Sequence, residues 1–290
     1  MRMTFLTLLT MLAFAGNSVL CRMALTTTSI DAASFTTVRL LSGALMLGAL
    51  VWLRPRAAGA RRLALNGAGH LGGNWLSALA LFAYAAALSF SYGDLSTGTG
   101  ALLLFGAVQA TMIITGLWVG ERLTRIQGAG LLMAIAGLIV ILMPGLTAPP
   151  LGSAVLMLGS GMAWGVYTLH GRRVTDPTGA TAGNFLRAAA LSITLSLALM
   201  KQLQIDQWGV VYAVLSGAVT SGLGYAIWYA VLPSLTVTRA ATVQLGVPMI
   251  ATLAGALFLH ESITLRLLLA SAAILGGIAM VVIDRRTKVV

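Results

Sequence analysis

Runs of about twenty apolar residues, separated by short polar turns, occupy almost the whole of this 290-residue chain. A water-soluble globule is excluded. Only 9% of the residues are charged and 58% are hydrophobic, against about 25% charged in soluble domains. That leaves too little polar surface to cover a body of this size. A helix needs about 20 residues to cross the hydrocarbon core. Hydropathy places ten such helices at 3–23, 33–53, 64–89, 95–118, 125–143, 151–171, 180–200, 208–230, 237–259 and 265–284. The expectation is an all-α integral membrane protein with no room for a separate soluble domain. Met1 to Gly16 imitates a secretion signal, but its apolar stretch runs on to Cys21, so it reads as an uncleaved first helix.

The net charge of +11 does not point to nucleic acid, because the basic residues sit in short clusters between apolar runs. With a cytoplasmic N-terminus, the inside segments carry Arg2, the Arg54/Arg56/Arg61/Arg62 cluster, Arg122, Arg125, Arg172, Arg173 and the Arg285/Arg286/Lys288 tail. Outside loops hold little beyond Lys201 and Arg266. Both termini are therefore expected to be cytoplasmic, in a bacterial inner membrane.

Two stretches repeat one another. Leu117-Trp-Val-Gly-Glu121-Arg-Leu-Thr124 and Leu257-Phe-Leu-His-Glu261-Ser-Ile-Thr264 superpose at an offset of 261 − 121 = 140, with Gly137 matching Gly277. Acids are scarce, so one carboxylate at the end of a long apolar run in each half carries weight. Phe14 and Arg22 answer Trp164 and Arg172 at an offset of 172 − 22 = 150. Five helices per half is an odd number, so the copies lie upside down to each other. Two five-helix inverted repeats, 1–145 and 146–290, follow.

These residues resemble the drug/metabolite transporter superfamily, in particular its EamA-type ten-helix exporters. The resemblance rests on the duplicated Gly/His-Glu-x-x-Thr, on Gln244-Leu-Gly-Val-Pro248 and on Tyr225-x-x-Trp228-x-x-x-Leu232. It covers essentially the whole chain and implies export of small metabolites, amino acids among them. It specifies the substrate poorly. His260 stands where that family usually has Gly.

An enzyme is not expected. His70, His170 and His260 lie on separate helices, zinc and nucleophile motifs are absent, and the single Cys21 supplies neither a disulfide nor a cysteine metal site. No cofactor or metal is implied. The partners expected are a small-molecule substrate and membrane lipids, with the chain a monomer or weak oligomer.

Polar and aromatic residues fall into stripes at helical spacing: Thr10, Phe14, Asn17 and Cys21; His70, Asn74, Ser77 and Tyr84; Ser160, Trp164 and Tyr167; Ser221, Tyr225 and Trp228. Asn17, Asn74, Trp164 and Ser221 are placed at mid-membrane, with Gln109 and Gln244 comparable. A central chamber with aromatic walls and a few amides and hydroxyls suits aromatic or other hydrophobic amino acids. The seven acids (Asp31, Asp94, Glu121, Asp176, Asp206, Glu261 and Asp284) all fall at helix ends or in loops. A proton-coupled carrier usually needs one in mid-membrane, so uniport is expected, with His70 the candidate for coupling. Arg39 is expected to bridge Glu261, and Arg187 to bridge Glu121. Pro248 should loosen the ninth helix, with Gly98 and Gly100 giving the fourth similar freedom. The alternatives are a proton-coupled drug or metabolite exporter, or a passive channel.

Overall fold

The computed structural model describes residues 2–53, 72–118, 120, 123–145, 148–171, 174–231 and 243–283. Apart from the short 3-10 turn Met200–Gln202, its regular elements are α1 (Arg2–Thr27), α2 (Ala32–Leu53), α3 (Trp75–Tyr92), α4 (Thr97–Trp118), α5 (Arg125–Leu142), α6 (Leu151–Gly171), α7 (Pro177–Ala198), α9 (Gly246–Leu259) and α10 (Leu265–Ile283), with α8 over Gln207–Val231. Seven of them (α1 to α5, α8 and α10) are long and apolar enough to cross a membrane. Both α6 and α7 have the length but are diluted by Gly, Ser and Thr, and α9 is shorter.

The polarity of the bundle is that of a protein in lipid. Leu45, Leu132 and Leu253 in mid-helix are 75%, 69% and 64% exposed, while Asn17, Gln109 and Arg39 are 5%, 3% and 1% exposed. Apolar side chains face out and polar ones face in.

The duplicated motif is a helix-to-helix connection. His260 ends α9 in the left-handed conformation at φ 53°, and Gly120, its counterpart, has φ 98°. That is why a glycine suits the position. Thr124 then caps α5 in a capping box with Gln127, and the Thr264 hydroxyl accepts from the Leu267 amide at the start of α10. Left-handed backbone costs a residue with a Cβ about 1–2 kcal/mol, and the extra freedom of glycine in the unfolded chain returns part of that. His260→Gly is expected to stabilise the protein by about 0.5–1 kcal/mol, read as a higher unfolding temperature in detergent.

Three sequence expectations change here. The helix expected over 64–89 is not continuous: residues 72–74 are not helical, and α3 begins at Trp75. Gly73 turns the chain at φ 84°, and Asn74 is the N-cap of α3, accepting from the Ser77 amide. Asn74 therefore sits at a helix end, as a cap and not as a residue within the helix; His70 lies outside the described residues. The eighth helix is not uniformly α: it is π-helical over Leu215–Leu223. Pro248 lies in the first turn of α9, where a missing N–H breaks nothing. The helical path is interrupted just before it, at Leu245.

Glycines set the closest approaches. A Cβ on Gly217 in the π segment would stand 2.0 Å from the Arg39 carbonyl oxygen of α2. In α5 and α10, a Cβ on Gly137 would meet the Ala270 oxygen at 3.0 Å and one on Gly277 the Gly130 oxygen at 2.3 Å. These contacts run in opposite directions along the two helices, which are therefore antiparallel. Gly98 admits the Thr252 side chain of α9, and Gly100 the Tyr92 ring, so both glycines serve packing in this conformation.

Connections at one end of the bundle are tied together. Asp31 caps α2 through the Ala33 and Ser34 amides, accepts from the Gln204 amide and donates its own amide to the Gln204 carbonyl. Burial opposes ionisation of Asp31, but hydrogen bonds from Ser34, Gln204 and Ala33 outweigh it and hold the carboxyl below its usual range. Arg266 donates to the Met143 and Pro144 carbonyls, and Ser153 donates to Asp94.

Candidate functional site: an aromatic chamber at the bundle centre

Helical spacing on α1, α3, α6 and α8 brings one cluster of rings together. Trp164 is its hub, with Tyr84, Tyr225 and Tyr167 at centroid distances of 4.9, 5.0 and 5.4 Å. Phe14 closes it from α1, edge-on to Trp164, Tyr225 and Trp228 at 6.5, 5.8 and 6.0 Å. Edge-to-face geometry is the favoured one for such rings. The rings and their neighbours Asn17, Ser18, Thr220 and Ser221 enclose about 10 Å3 of space, room for roughly one water. The chamber is closed down in this conformation.

A continuous polar network leads away from the lining residues Asn17 and Tyr84. Ser216 donates to the Asn17 Oδ1 at 2.6 Å, and Asn17 Nδ2 donates to the Tyr84 hydroxyl at 3.1 Å. Arg39 Nη2 donates to the same hydroxyl at 3.2 Å, with its guanidinium 5.3 Å from the Tyr84 ring centre. Ser160 holds the backbone carbonyl of Tyr84 at 2.9 Å. Ser221 lines the chamber, and its hydroxyl is buried without a partner. The π-helical stretch carries Ser216, Thr220 and Ser221 together, and such stretches often mark functional positions.

Of the residues singled out in the sequence, Asn17, Tyr84, Trp164, Ser221 and Tyr225 line this chamber, and Tyr167 and Trp228 pack onto its rings. Asn74 and Ser77 do not. They line a separate small cleft of about 20 Å3 with Asn184, Thr181 and Tyr229, where the Asn74 amide donates to Asn184 Oδ1. Tyr167 reaches both sites, its hydroxyl donating to Thr181. Gln109 on α4 and Gln244 before α9 are buried but not among the chamber-lining residues. The sequence analysis passed over Ser216, which no local pattern distinguishes, and treated Arg39 as structural, although a lone charge in an apolar run is itself a signal.

The expected Arg39–Glu261 bridge is not formed. Glu261 pairs with Arg22, Nε to Oε1 at 3.1 Å, and its Oε2 accepts from the Thr97 amide at the start of α4 at 2.8 Å. Arg22 also donates to the carbonyls of Tyr92 and Gly93 at the end of α3. The positive end of α4 and the end carbonyls of α3 suit this pair, whereas Arg39 is drawn inward by Tyr84. Arg187 donates to the Gly72 carbonyl at 2.9 Å and lies over the Trp75 ring. Its expected partner Glu121 lies outside the described residues.

Comparison with known proteins agrees with this architecture. The model of the EamA-like transporter family matches residues 1–143 and 151–283. An uncharacterized protein of Pseudomonas aeruginosa is 55% identical over 284 residues, covering 98% of this chain and 96% of that one. A probable amino-acid metabolite efflux pump of Salmonella typhimurium is 25% identical over 206 residues, covering 66% of this chain and 69% of its own length. A solved crystal structure superposes with a TM-score of 0.67 over 99% of both chains at 20% identity, which speaks to the fold. The chain therefore belongs to the EamA-like transporter family, and is a multi-pass membrane transporter of small metabolites.

Proposed function

We propose that this protein exports aromatic or other hydrophobic amino acids across a bacterial inner membrane, by alternating access to the central aromatic chamber, with both termini cytoplasmic. The observation that carries the reading is Trp164 between Tyr84, Tyr225 and Tyr167, beside a hydrogen-bonded polar network. Rings on several sides suit a planar apolar body, and the network suits its polar end. The Salmonella relative, named as a probable amino-acid metabolite efflux pump, supports export of this class of solute.

Two inverted five-helix repeats supply the symmetry that such a cycle needs. The main packing partners support them: exchanging α1–α5 with α6–α10 turns α3 on α6 into α8 on α1, α4 on α6 into α9 on α1, and α2 on α8 into α7 on α3. At the offset of 140, Gly137 against Ala270 becomes Gly277 against Gly130, and both contacts are present.

Transport is proposed to be uniport. The described acids Asp31, Asp94, Asp176, Asp206 and Glu261 sit at helix ends or in connections, so none is placed to carry a proton across mid-membrane. Flux in proteoliposomes is expected to ignore an imposed pH gradient. The decisive measurement is counterflow of labelled phenylalanine and tryptophan. Trp164→Ala removes the hub ring, worth about 1.5–3 kcal/mol of contact with a bound ring, so flux is expected to fall at least about tenfold. Unchanged flux in that variant would move the binding site elsewhere. Flux that never saturates would favour a channel.

A further inference from the structure

Arg39 is 1% exposed, and its Nε and Nη1 are buried without partners. By helical rise it lies about 10 Å inside the end of α2, well within the span Ala32–Leu53. Among the described residues no carboxylate pairs with it. The titratable side chains it interacts with are Tyr84, Tyr225 and Cys21. Glu261, the acid the sequence offered, is taken by Arg22. A buried cation without an anion is costly in lipid and marks a functional position by default.

The groups around Arg39 say what would complete it. The Tyr84 hydroxyl accepts two hydrogen bonds, one from Arg39 and one from Asn17. A neutral phenol oxygen thus occupies a cradle of one charged and one amide donor, at the edge of the chamber that Tyr84 itself lines. Two further guanidinium nitrogens, Nε and Nη1, are buried with their three N–H groups unpaired. A carboxylate, with its four lone-pair positions, matches this donor set better than a phenol does. An ammonium group meets no carboxylate there: the residues lining the chamber include no acid, and ring faces offer it only the weaker cation–π attraction.

We infer that Arg39, with Asn17, binds the carboxylate of the transported molecule, displacing the Tyr84 hydroxyl as the chamber opens, and that the carboxylate is the obligatory polar group of the substrate while the amino group is dispensable. This rests on the chamber being the transport site and adds the chemistry it reads: an aromatic or apolar body bearing one carboxylate, whether or not it is an amino acid.

The test compares three probes that share a phenyl ring: phenylalanine, 3-phenylpropionate without the amine, and phenethylamine without the carboxylate. Each is measured as a competitor of phenylalanine counterflow, and separately as a stabiliser of the purified protein against thermal unfolding. The inference expects 3-phenylpropionate to act within about threefold of phenylalanine, and phenethylamine to be at least about tenfold weaker, as loss of a charged hydrogen bond implies. Arg39→Gln is expected to bring the three probes to within about threefold of one another. Equal action of phenethylamine on the wild-type protein overturns the inference even if Arg39→Gln does not fold, and so does a carboxylate preference that survives that substitution. Carboxylate-dependent stabilisation without any flux would sink the transport reading and leave Arg39 as the anion site. Saturable flux indifferent to the carboxylate would do the reverse.

Discussion

Glu261→Ala is expected to lower stability by about 3 kcal/mol, the lower end of what breaking a largely buried ion pair costs. The carboxylate holds Arg22 Nε at 3.1 Å and the Thr97 amide at 2.8 Å, with side-chain exposures of 19% for Arg22 and 16% for Glu261. Removing it strands a cation and the first amide of a helix together, and charged hydrogen bonds of this kind are worth about 1.5–3 kcal/mol each. Arg22 keeps its bonds to Tyr92 and Gly93, so the loss stays short of a fully stranded charge. The joint replacement of Arg22 by Met and Glu261 by Leu should recover much of the loss, since no unpaired charge remains. Unfolding temperature in detergent reads both results. The latch also joins α1, α3, α4 and the end of α9, so its loss should let that end of the bundle open. Cys21, adjacent to Arg22 and fully buried, is a native reporter: its reaction with a maleimide should speed up in Glu261→Ala. A variant as stable and as unreactive as wild type would reduce the pair to decoration.

What the sequence made readable was whatever local spacing determines. The rings Tyr84, Trp164 and Tyr225 could be brought to one site because helical periodicity fixes which face each occupies. The Gly/His-Glu-x-x-Thr motif could be recognised as a repeat, and its cause is equally local: a left-handed helix end followed by a capping threonine. The failures are of two other kinds. Hydropathy averages over windows and does not see a single glycine at φ 84°, so it ran the third helix through Gly73 and placed Asn74 within the helix. Charge pairing is a tertiary choice. Arg22 and Glu261 are 239 residues apart, and Arg39 and Tyr84 are 45 apart, so depth alone could not decide which arginine Glu261 would take. The π segment has no signature in a run such as Leu215-Ser-Gly-Ala-Val-Thr-Ser-Gly-Leu223. What can be seen is tertiary: α2 lies against it, close enough that Gly217 has no room for a Cβ.

That close packing gives the second large effect. Gly217→Ala is expected to destabilise the protein by about 3 kcal/mol, the upper range for overpacking. Its Cβ would lie 2.0 Å from the Arg39 carbonyl oxygen and 2.1 Å from the Ser42 hydroxyl. The hydroxyl can rotate away but the backbone oxygen cannot, so α2 and α8 must separate by about 1.5 Å to restore ordinary contact. Both sides of that contact carry groups that hold chamber-lining residues: Arg39 on α2, which donates to Tyr84, and on α8 Ser216, whose bond to Asn17 is 2.6 Å long. Flux should therefore fall by at least about tenfold, because displacements of about 1 Å at a binding site cost that much or more. Gly159→Ala is the matched control. No atom lies within 4 Å of its Cβ position on α6, and alanine is the better helix former by about 1 kcal/mol, so that variant should be at least as stable as wild type and transport normally. If Gly217→Ala behaved like Gly159→Ala, α2 would not be packed against the π segment as described, and the polar network at the chamber would have to be built from other residues.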